Sequence, residues 1–250
     1  MRDVSPTADV LSISAEGLSF KELNDKLRAT NATEIVINNA AGQRYIAAGA
    51  EGRRLTINGT PGNALAAYMD GAEIIVNGNA QDAVGDTMND GRVIVHGSAG
   101  DALGYGMRGG LICVKGCSGY RTGIHMKQYQ DKSPVIVIGE SCGSFLGEYM
   151  AGGTIVVLGI GLRGQAPVGN FTGTGMHGGE IYIRSDEEPK NLPAQVSIDT
   201  ASNLDDIRGH VRAFAQLFGC DADELLSGNF FVLRPNAKNP YHSLYTQYLR

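Results

Sequence analysis

The sequence predicts an all-β core, wound as a single-stranded right-handed parallel β-helix of about seven turns of ~19 residues, with α-helical N- and C-terminal flanks. Three observations predict it. The chain of 250 residues contains 35 glycines, a repeat with a period of 19 residues runs through its middle, and short β-branched blocks recur once per period. A fixed period with one strand per repeat is typical of chains that stack strand on strand.

Methionine marks the repeat. From Met69 onward, the intervals between successive methionines are 19, 19, 19, 24 and 26 residues. Six of the seven methionines therefore share one repeat position, namely Met69, Met88, Met107, Met126, Met150 and Met176. A glycine precedes five of them by three residues, at Gly85, Gly104, Gly123, Gly147 and Gly173. We expect the glycines to allow sharp turns at positive φ and the flexible methionines to fill the core beside them.

Seven blocks of β-branched residues supply the strands. They are LTIN (55–58), IIVN (74–77), VIVH (93–96), ICVK (112–115), VIVI (135–138), IVVL (155–158) and IYIR (181–184). Side chains alternate across a strand, so the first and third residues of each block share one face. This predicts two aliphatic ladders, to which the fifth block contributes Val135 and Val137.

Composition excludes several classes of protein. The formal charge is −5, which disfavours nucleic acid as the main partner. No run of 18 apolar residues occurs and the first ten residues lack the apolar core of a signal peptide, so we expect no membrane span. Four cysteines without a CxxC pair indicate a reduced, cytoplasmic protein.

The sequence offers no catalytic, cofactor-binding or metal-binding residues. GYGMRG (104–109) lies between strand blocks, whereas a dinucleotide site needs a helix directly after the glycines. Cys113 and Cys117 are four residues apart without a matching second pair, which is a poor zinc or cluster site. Asn63, Asp82 and Asp101 share one repeat position, where we expect them to hydrogen-bond the turn backbone.

The recurrent G-x-G-M-x-G-G-x-I-x-V-x-G pattern resembles the GXGXG repeat domain at the C-terminal end of the glutamate synthase large (α) subunit. The stretches NAQDAVGDTMNDGRVIVHG (79–97), GIHMK (123–127) and GEYMAGGTIVVLG (147–159) are similar to the stand-alone "domain 3" polypeptide of that family. The resemblance covers roughly residues 34–185. One of the polypeptides of formylmethanofuran dehydrogenase carries the same repeat, so the pattern identifies the architecture better than the complex.

The resemblance implies a non-catalytic scaffold that positions other domains in a glutamate synthase-like oxidoreductase. Its implied partners are an amidotransferase subunit and a synthase subunit, with FMN and iron–sulfur clusters on those partners and no cofactor on this chain. A homo-oligomer is also compatible with it. Two alternatives stay open: the equivalent subunit of a formylmethanofuran dehydrogenase or N-methylglutamate synthase complex, and an autonomous β-helix enzyme or binding protein.

The flanks divide the chain into an N-terminal strand/helix cap (1–32), the GXGXG β-helix (33–185) and a C-terminal part with a linker, helices and an aromatic tail (186–250). Ser19 and Glu22 stand at capping-box spacing before an amphipathic helix. A second helix is predicted over 202–219, and a third begins at Asp221. The tail carries Tyr241, Tyr245 and Tyr248, which either pack on this chain or dock into a partner.

Two insertions interrupt the period, at KQYQDKSP (127–134) and IGLRGQAPVGNF (160–171). Insertions into a repeat leave its core intact and often form the binding face. The residues that we predict to contact a partner are therefore Lys127, Tyr129, Gln130, Lys132, Arg163 and Gln165. The alternative is that both loops are solvated and bind nothing.

Overall fold

The protein is described by a computed structural model that covers residues 10–162 and 164–236. Eleven strands and three helices occur in these residues. In chain order they are β1 (Val10–Ser14), α1 (Phe20–Ala29), β2 (Glu34–Ala41), β3 (Arg54–Thr60), β4 (Asp70–Asn77), β5 (Asp90–Val95), β6 (Leu111–Val114), β7 (Val135–Ile138), β8 (Ala151–Val157), β9 (Gly178–Arg184), β10 (Val196–Thr200), α2 (Asp205–Phe218), α3 (Ala222–Leu226) and β11 (Phe230–Pro235).

All eleven strands form one mostly parallel sheet. The strands β1 to β9 lie side by side in chain order, each parallel to the next. The last two strands reverse this order, because β11 pairs antiparallel with β9 and β10 pairs antiparallel with β11. The sheet thus runs β1 to β9, then β11, then β10.

The predicted β-helix with helical flanks is therefore wrong. The sheet is open, and the helices in the described residues are few and short. The first and last of the described elements are strands, not helices. α1 lies between β1 and β2, while α2 and α3 lie between β10 and β11. A 19-residue period reports how often a strand recurs and in which register, and it does not report how the sheet ends. The terminal strands lie outside the repeat, so the period could not reveal them.

Two aliphatic ladders cross the parallel strands in register. One runs through Ile35, Leu55, Ile74, Val93, Ile112, Ile136, Ile155 and Ile181, and the other through Ile37, Ile57, Val76, Val95, Val114, Ile138, Val157 and Ile183. In β7 the ladder residues are Ile136 and Ile138, so the prediction of Val135 and Val137 is wrong by one residue. All four residues of VIVI are apolar, so the sequence does not show which two of them face the ladder side of the sheet.

A core lies on each face of the sheet. On the ladder face, the sheet packs against the connections between strands, whose buried residues include Leu65, Val84 and Leu103. On the opposite face, β6 to β9 pack against α2 through Phe214 and its neighbours. The helix α2 ends at Gly219, which adopts a left-handed conformation, as the sequence predicts.

The capping predictions for the other two helices are confirmed. The Ser19 hydroxyl accepts the Glu22 backbone N–H, and the Glu22 carboxylate accepts the Ser19 N–H at 2.8 Å, which makes a complete capping box at α1. At α3 the Asp221 carboxylate accepts the N–H groups of Asp223 and Glu224. The hydrogen bonds of Glu22 to Ser19 hold the pKa of its carboxyl below the usual range.

Candidate interaction surface

Each connection between parallel strands from β2 to β9 contains a turn with three left-handed residues at alternating positions. Seven such turns cover residues 45–49, 64–68, 83–87, 102–106, 121–125, 145–149 and 171–175, and we number them one to seven. In the fourth turn the three residues are Ala102, Gly104 and Gly106, with φ of 54°, 67° and 57°. The middle residue faces the sheet and is buried, while the outer two face away from the sheet. We call the surface formed by these outer residues and by the residues next to them in the chain the turn surface.

The middle residue of each turn is glycine or alanine because the sheet lies directly beneath it. A Cβ on Gly104 would stand 2.5 Å from the Ile136 Cδ1 atom, well inside van der Waals contact. Gly85, Gly123 and Gly147 meet an isoleucine of a nearby strand in the same way. The predicted glycine positions therefore bring the turns onto the sheet at close range.

The predicted methionine positions lie beside these glycines in the core. Each methionine donates its backbone N–H to the carbonyl of the middle residue three positions earlier, as Met107 does to Gly104 at 3.1 Å. All six are at most 3% exposed: Met69, Met88, Met107, Met126, Met150 and Met176. These methionines and glycines shape the core, and they do not converge on a chemical site.

Aromatic side chains stack on one another along turns four to seven of the turn surface. Tyr105 meets His125 edge-on at 5.8 Å between centroids, and His125 stacks on Tyr149 at 5.2 Å with 13° between the planes. A second row runs from Tyr120 to Phe145 at 5.6 Å and from Phe145 to Phe171 at 5.1 Å.

These rings remain open to solvent although they stack on one another. Tyr105, Tyr120, Tyr149 and Phe171 are 41%, 45%, 46% and 50% exposed. A contiguous apolar patch of this kind on a folded chain marks a binding surface. The two rows of rings are the feature of the described chain that most resembles a functional site.

One ion pair separates the two aromatic rows. The Arg121 guanidinium lies 5.6 Å from the centroid of the Phe145 ring and donates from Nε to Glu148 Oε2 at 2.9 Å. The Glu148 side chain is 9% exposed and that of Arg121 is 52% exposed. Of the two charged groups in this ion pair, the Arg121 guanidinium is therefore the one exposed to solvent. It lies beside aromatic rings, which attract cations.

Asn63, Asp82 and Asp101 line the turn surface directly before turns two, three and four. The Asp82 Oδ1 atom accepts the Asp101 N–H at 2.9 Å, and Asp101 Oδ1 accepts the Tyr120 N–H at 2.8 Å. Asn63 Oδ1 accepts the Asp82 N–H at 3.4 Å in the same manner. The prediction that these residues bind turn backbone is confirmed. Both aspartates are exposed and carry their charge outward.

The first insertion folds back over the beginnings of earlier strands. Tyr129 and Lys132 close a tight turn through two backbone hydrogen bonds, each 3.0 Å long. The Lys132 ammonium then reaches Asp90 at 3.0 Å and Asp70 at 3.3 Å. Lys132 lowers the pKa of the Asp90 carboxyl, and Asp90 in turn raises the pKa of the Lys132 ammonium. Lys127, Gln130 and Tyr129 remain exposed.

The second insertion lies at the opposite ends of the strands from the first insertion. It follows β8, whereas the first insertion precedes β7, and the two strands are parallel. Gln165 is exposed and borders a cavity of about 390 Å³ together with Arg184 and Lys190. Arg163 lies outside the described residues, as does the predicted aromatic tail. The structure thus does not bring the two predicted contact loops together.

Neither a metal-ligating cluster nor a membrane-spanning helix occurs in the described part of the chain. No three His, Cys, Asp or Glu side chains among residues 10–162 and 164–236 lie where they could share a metal ion. In the same two ranges no helix has both the length and the apolar character to cross a bilayer.

Two of the four thiols should react readily in the native protein, and the other two should not. Burial raises the pKa of the Cys113 and Cys142 thiols to about 12, whereas Cys117 and Cys220 are half-buried. At pH 8 a thiol with that pKa is deprotonated in only about one molecule in 10⁴. We expect a disulfide reagent to titrate two thiols in the native protein and four in denaturant. Rapid native labelling of all four would contradict the packing described here.

Sequence reasoning missed the turn surface. The repeat is defined by residues that are alike in every turn, while the aromatic residues occupy outer positions that differ from turn to turn. The available signal was that Phe145 and Phe171 share one repeat position, and Tyr68, His125 and Tyr149 share another. A left-handed backbone at an aromatic residue is uncommon, so this clustering is informative.

Comparison with known proteins agrees with this architecture. A family profile described as the GXGXG motif matches residues 17–235. The uncharacterized protein MJ1350 of Methanocaldococcus jannaschii is 42% identical over 249 residues, which cover 94% of this chain and 95% of that protein. A chain of the formyltransferase/hydrolase complex from Methylorubrum extorquens, solved in complex with methylofuran, matches with a TM-score of 0.61 and 18% identity, over 88% of this chain and 92% of that chain. The chain belongs to the GXGXG motif family.

Proposed function

We propose that this protein is a scaffold subunit of a multi-subunit oxidoreductase of the glutamate synthase type. The observation that carries the proposal is the turn surface, where stacked aromatic rings stay 41–50% exposed on an otherwise well-packed chain. Exposed aromatic clusters are typical of protein–protein interfaces. A subunit of this kind positions its neighbours, and its own side chains take no part in bond making.

The chemistry in this proposal belongs to other subunits. An amidotransferase subunit would release ammonia from glutamine, and a synthase subunit would bind FMN and an iron–sulfur cluster. The first insertion offers them a firm contact point, since Lys132 ties it to two strands while Lys127 and Tyr129 stay exposed. Gln165 offers a second contact point, beyond the opposite ends of the strands.

A second candidate is a role in a formylmethanofuran dehydrogenase-type complex. It is favoured by the fold shared with a chain of the formyltransferase/hydrolase complex, which was solved with methylofuran. Both candidates assign the same scaffold role and differ in the partner subunits. The identity of the co-purifying subunits therefore separates them.

The test is to recover the tagged chain from its natural host at low ionic strength. We expect it to bring down other polypeptides whose absorbance shows bound flavin and iron–sulfur clusters. The double variant Lys127→Ala with Tyr129→Ala should recover several-fold less of them, because both side chains are exposed on the first insertion. Lys26→Ala, exposed on α1, is the matched control.

Two outcomes would overturn the proposal. One is recovery of the chain with no other polypeptide under conditions that preserve comparable complexes. The other is glutaminase activity of the purified chain alone, because a scaffold has no reaction of its own.

A further inference from the structure

The turn surface changes in shape along its length. In turns two, three and four the first outer residue is Ala64, Ala83 and Ala102, all of them small. In turns five, six and seven the same position holds Arg121, Phe145 and Phe171, all of them large. At the first outer position, turns two to four are therefore recessed and turns five to seven protrude. At the second outer position the sizes of the end turns are reversed, with Tyr68 in turn two and Gly175 in turn seven, so that the two halves remain complementary in shape.

The surface changes in charge at the same boundary. The recessed half carries Asp82, Asp86 and Asp101 in turns three and four or directly before them. The protruding half presents the exposed side chain of Arg121, while its carboxylate at Glu148 is buried against the Arg121 guanidinium. The two halves are thus complementary in charge as well as in shape.

We infer that the turn surface binds a second copy of this chain in antiparallel orientation. A two-fold axis between turns four and five would set the protruding half of each copy into the recessed half of the other. Turn four of one copy would then face turn five of its partner, which brings Asp101 to the Arg121 guanidinium of the other chain. This inference rests on the proposed scaffold function and names the occupant of its main surface.

The size of the surface predicts a weak dimer. Six turns at about 4.8 Å spacing extend roughly 29 Å, and the five residues of a turn span at most about 17 Å. Each copy would bury about 500 Å², so the total of about 1,000 Å² lies at the lower limit for a specific interface. We expect a dissociation constant in the micromolar range. The exposed residues Tyr129, Gln130 and Gln165 would stay free for other subunits, because they lie beyond the ends of the strands and not on the turn surface.

The test is analytical ultracentrifugation of the purified full chain over a range of concentrations and salt. Ala102→Tyr should weaken dimerisation at least tenfold by filling the recess. Tyr45 shows that the equivalent left-handed position accepts a tyrosine. Asp82→Asn with Asp101→Asn should weaken it several-fold, because asparagine keeps the Oδ1 acceptor for the turn backbone and removes the charge. Lys26→Gln on α1 is the control and should change nothing.

The outcomes separate this inference from the proposed function. A monomer up to about 200 µM at low salt, or a dimer that Ala102→Tyr leaves intact, overturns the second-copy inference. If the same chain still captures other subunits from its host, the scaffold function stands and the turn surface belongs to one of them. A dimer sensitive to both variants supports the inference whether or not other subunits are captured.

Discussion

Replacing Gly104 by alanine should cost about 2–5 kcal/mol of unfolding free energy. The left-handed backbone at this position costs an alanine about 1–2 kcal/mol. The new methyl group would also stand 2.5 Å from Ile136 Cδ1, and overpacking of this kind costs about 1–3 kcal/mol. Urea denaturation followed by circular dichroism measures the sum.

A second substitution should reverse most of the steric part. Ile136→Val removes the obstructing methyl group and alone costs about 0.5–1.5 kcal/mol. The double variant should therefore be more stable than Gly104→Ala.

Gly49→Ala is the matched control for backbone strain. Gly49 has φ of 65°, and a Cβ there would meet nothing within 4 Å. The Gly49→Ala variant should lose about 1–2 kcal/mol of unfolding free energy, because only the left-handed backbone is unfavourable there. If Gly49→Ala and Gly104→Ala were equally destabilised, or if Ile136→Val brought no recovery, the close approach of turn and sheet would be refuted.

Truncating Phe214 to alanine should cost about 3–5 kcal/mol and loosen α2 from the sheet. The ring is fully buried and lies so close to the end of β7 that a Cβ on Gly139 would stand 2.9 Å from its Cζ atom. Removing the ring leaves a cavity in the second core, between α2 and the strands β6 to β9. Denaturation gives the loss of stability, and limited proteolysis between residues 186 and 204 shows the loosening.

Phe218→Ala provides the comparison on the same helix. Phe218 is only half-buried and meets the edge of the His96 ring at 5.2 Å, so its truncation should cost about 1 kcal/mol. Faster proteolysis should follow from the Phe214 variant only. Equal effects of both substitutions would contradict the view that α2 is held through Phe214.

The repeat and its strands could be predicted because each turn contributes the same kind of residue to the core. The methionine spacing and the β-branched blocks correspond to β3 to β9, and the capping residues Ser19 and Asp221 mark real helix starts. The terminal strands could not be predicted from the period, because β1, β10 and β11 lie outside it. The phase of β7 failed for a local reason, since all four of its residues are apolar.

The turn surface could not be predicted from the sequence, for a different reason. The side chains of Tyr149 and Phe171 meet rings from neighbouring turns, and such contacts depend on the offset with which successive turns stack. The spacing of residues in the sequence gives the register between neighbouring strands, and it does not give the offset between neighbouring turns. The predicted contacts at Lys127 and Gln165 came from loop length, which indicates where a chain tolerates insertions and not which rings meet.

Native mass spectrometry of the complex recovered from the natural host tests the scaffold role most directly. The chain has a mass of 26.4 kDa. We predict a larger assembly that contains two copies of it together with flavin-bearing subunits, and that releases these subunits when Lys127 and Tyr129 are both replaced by alanine. A species of 26.4 kDa alone, under conditions that keep other complexes of the host intact, would contradict the account.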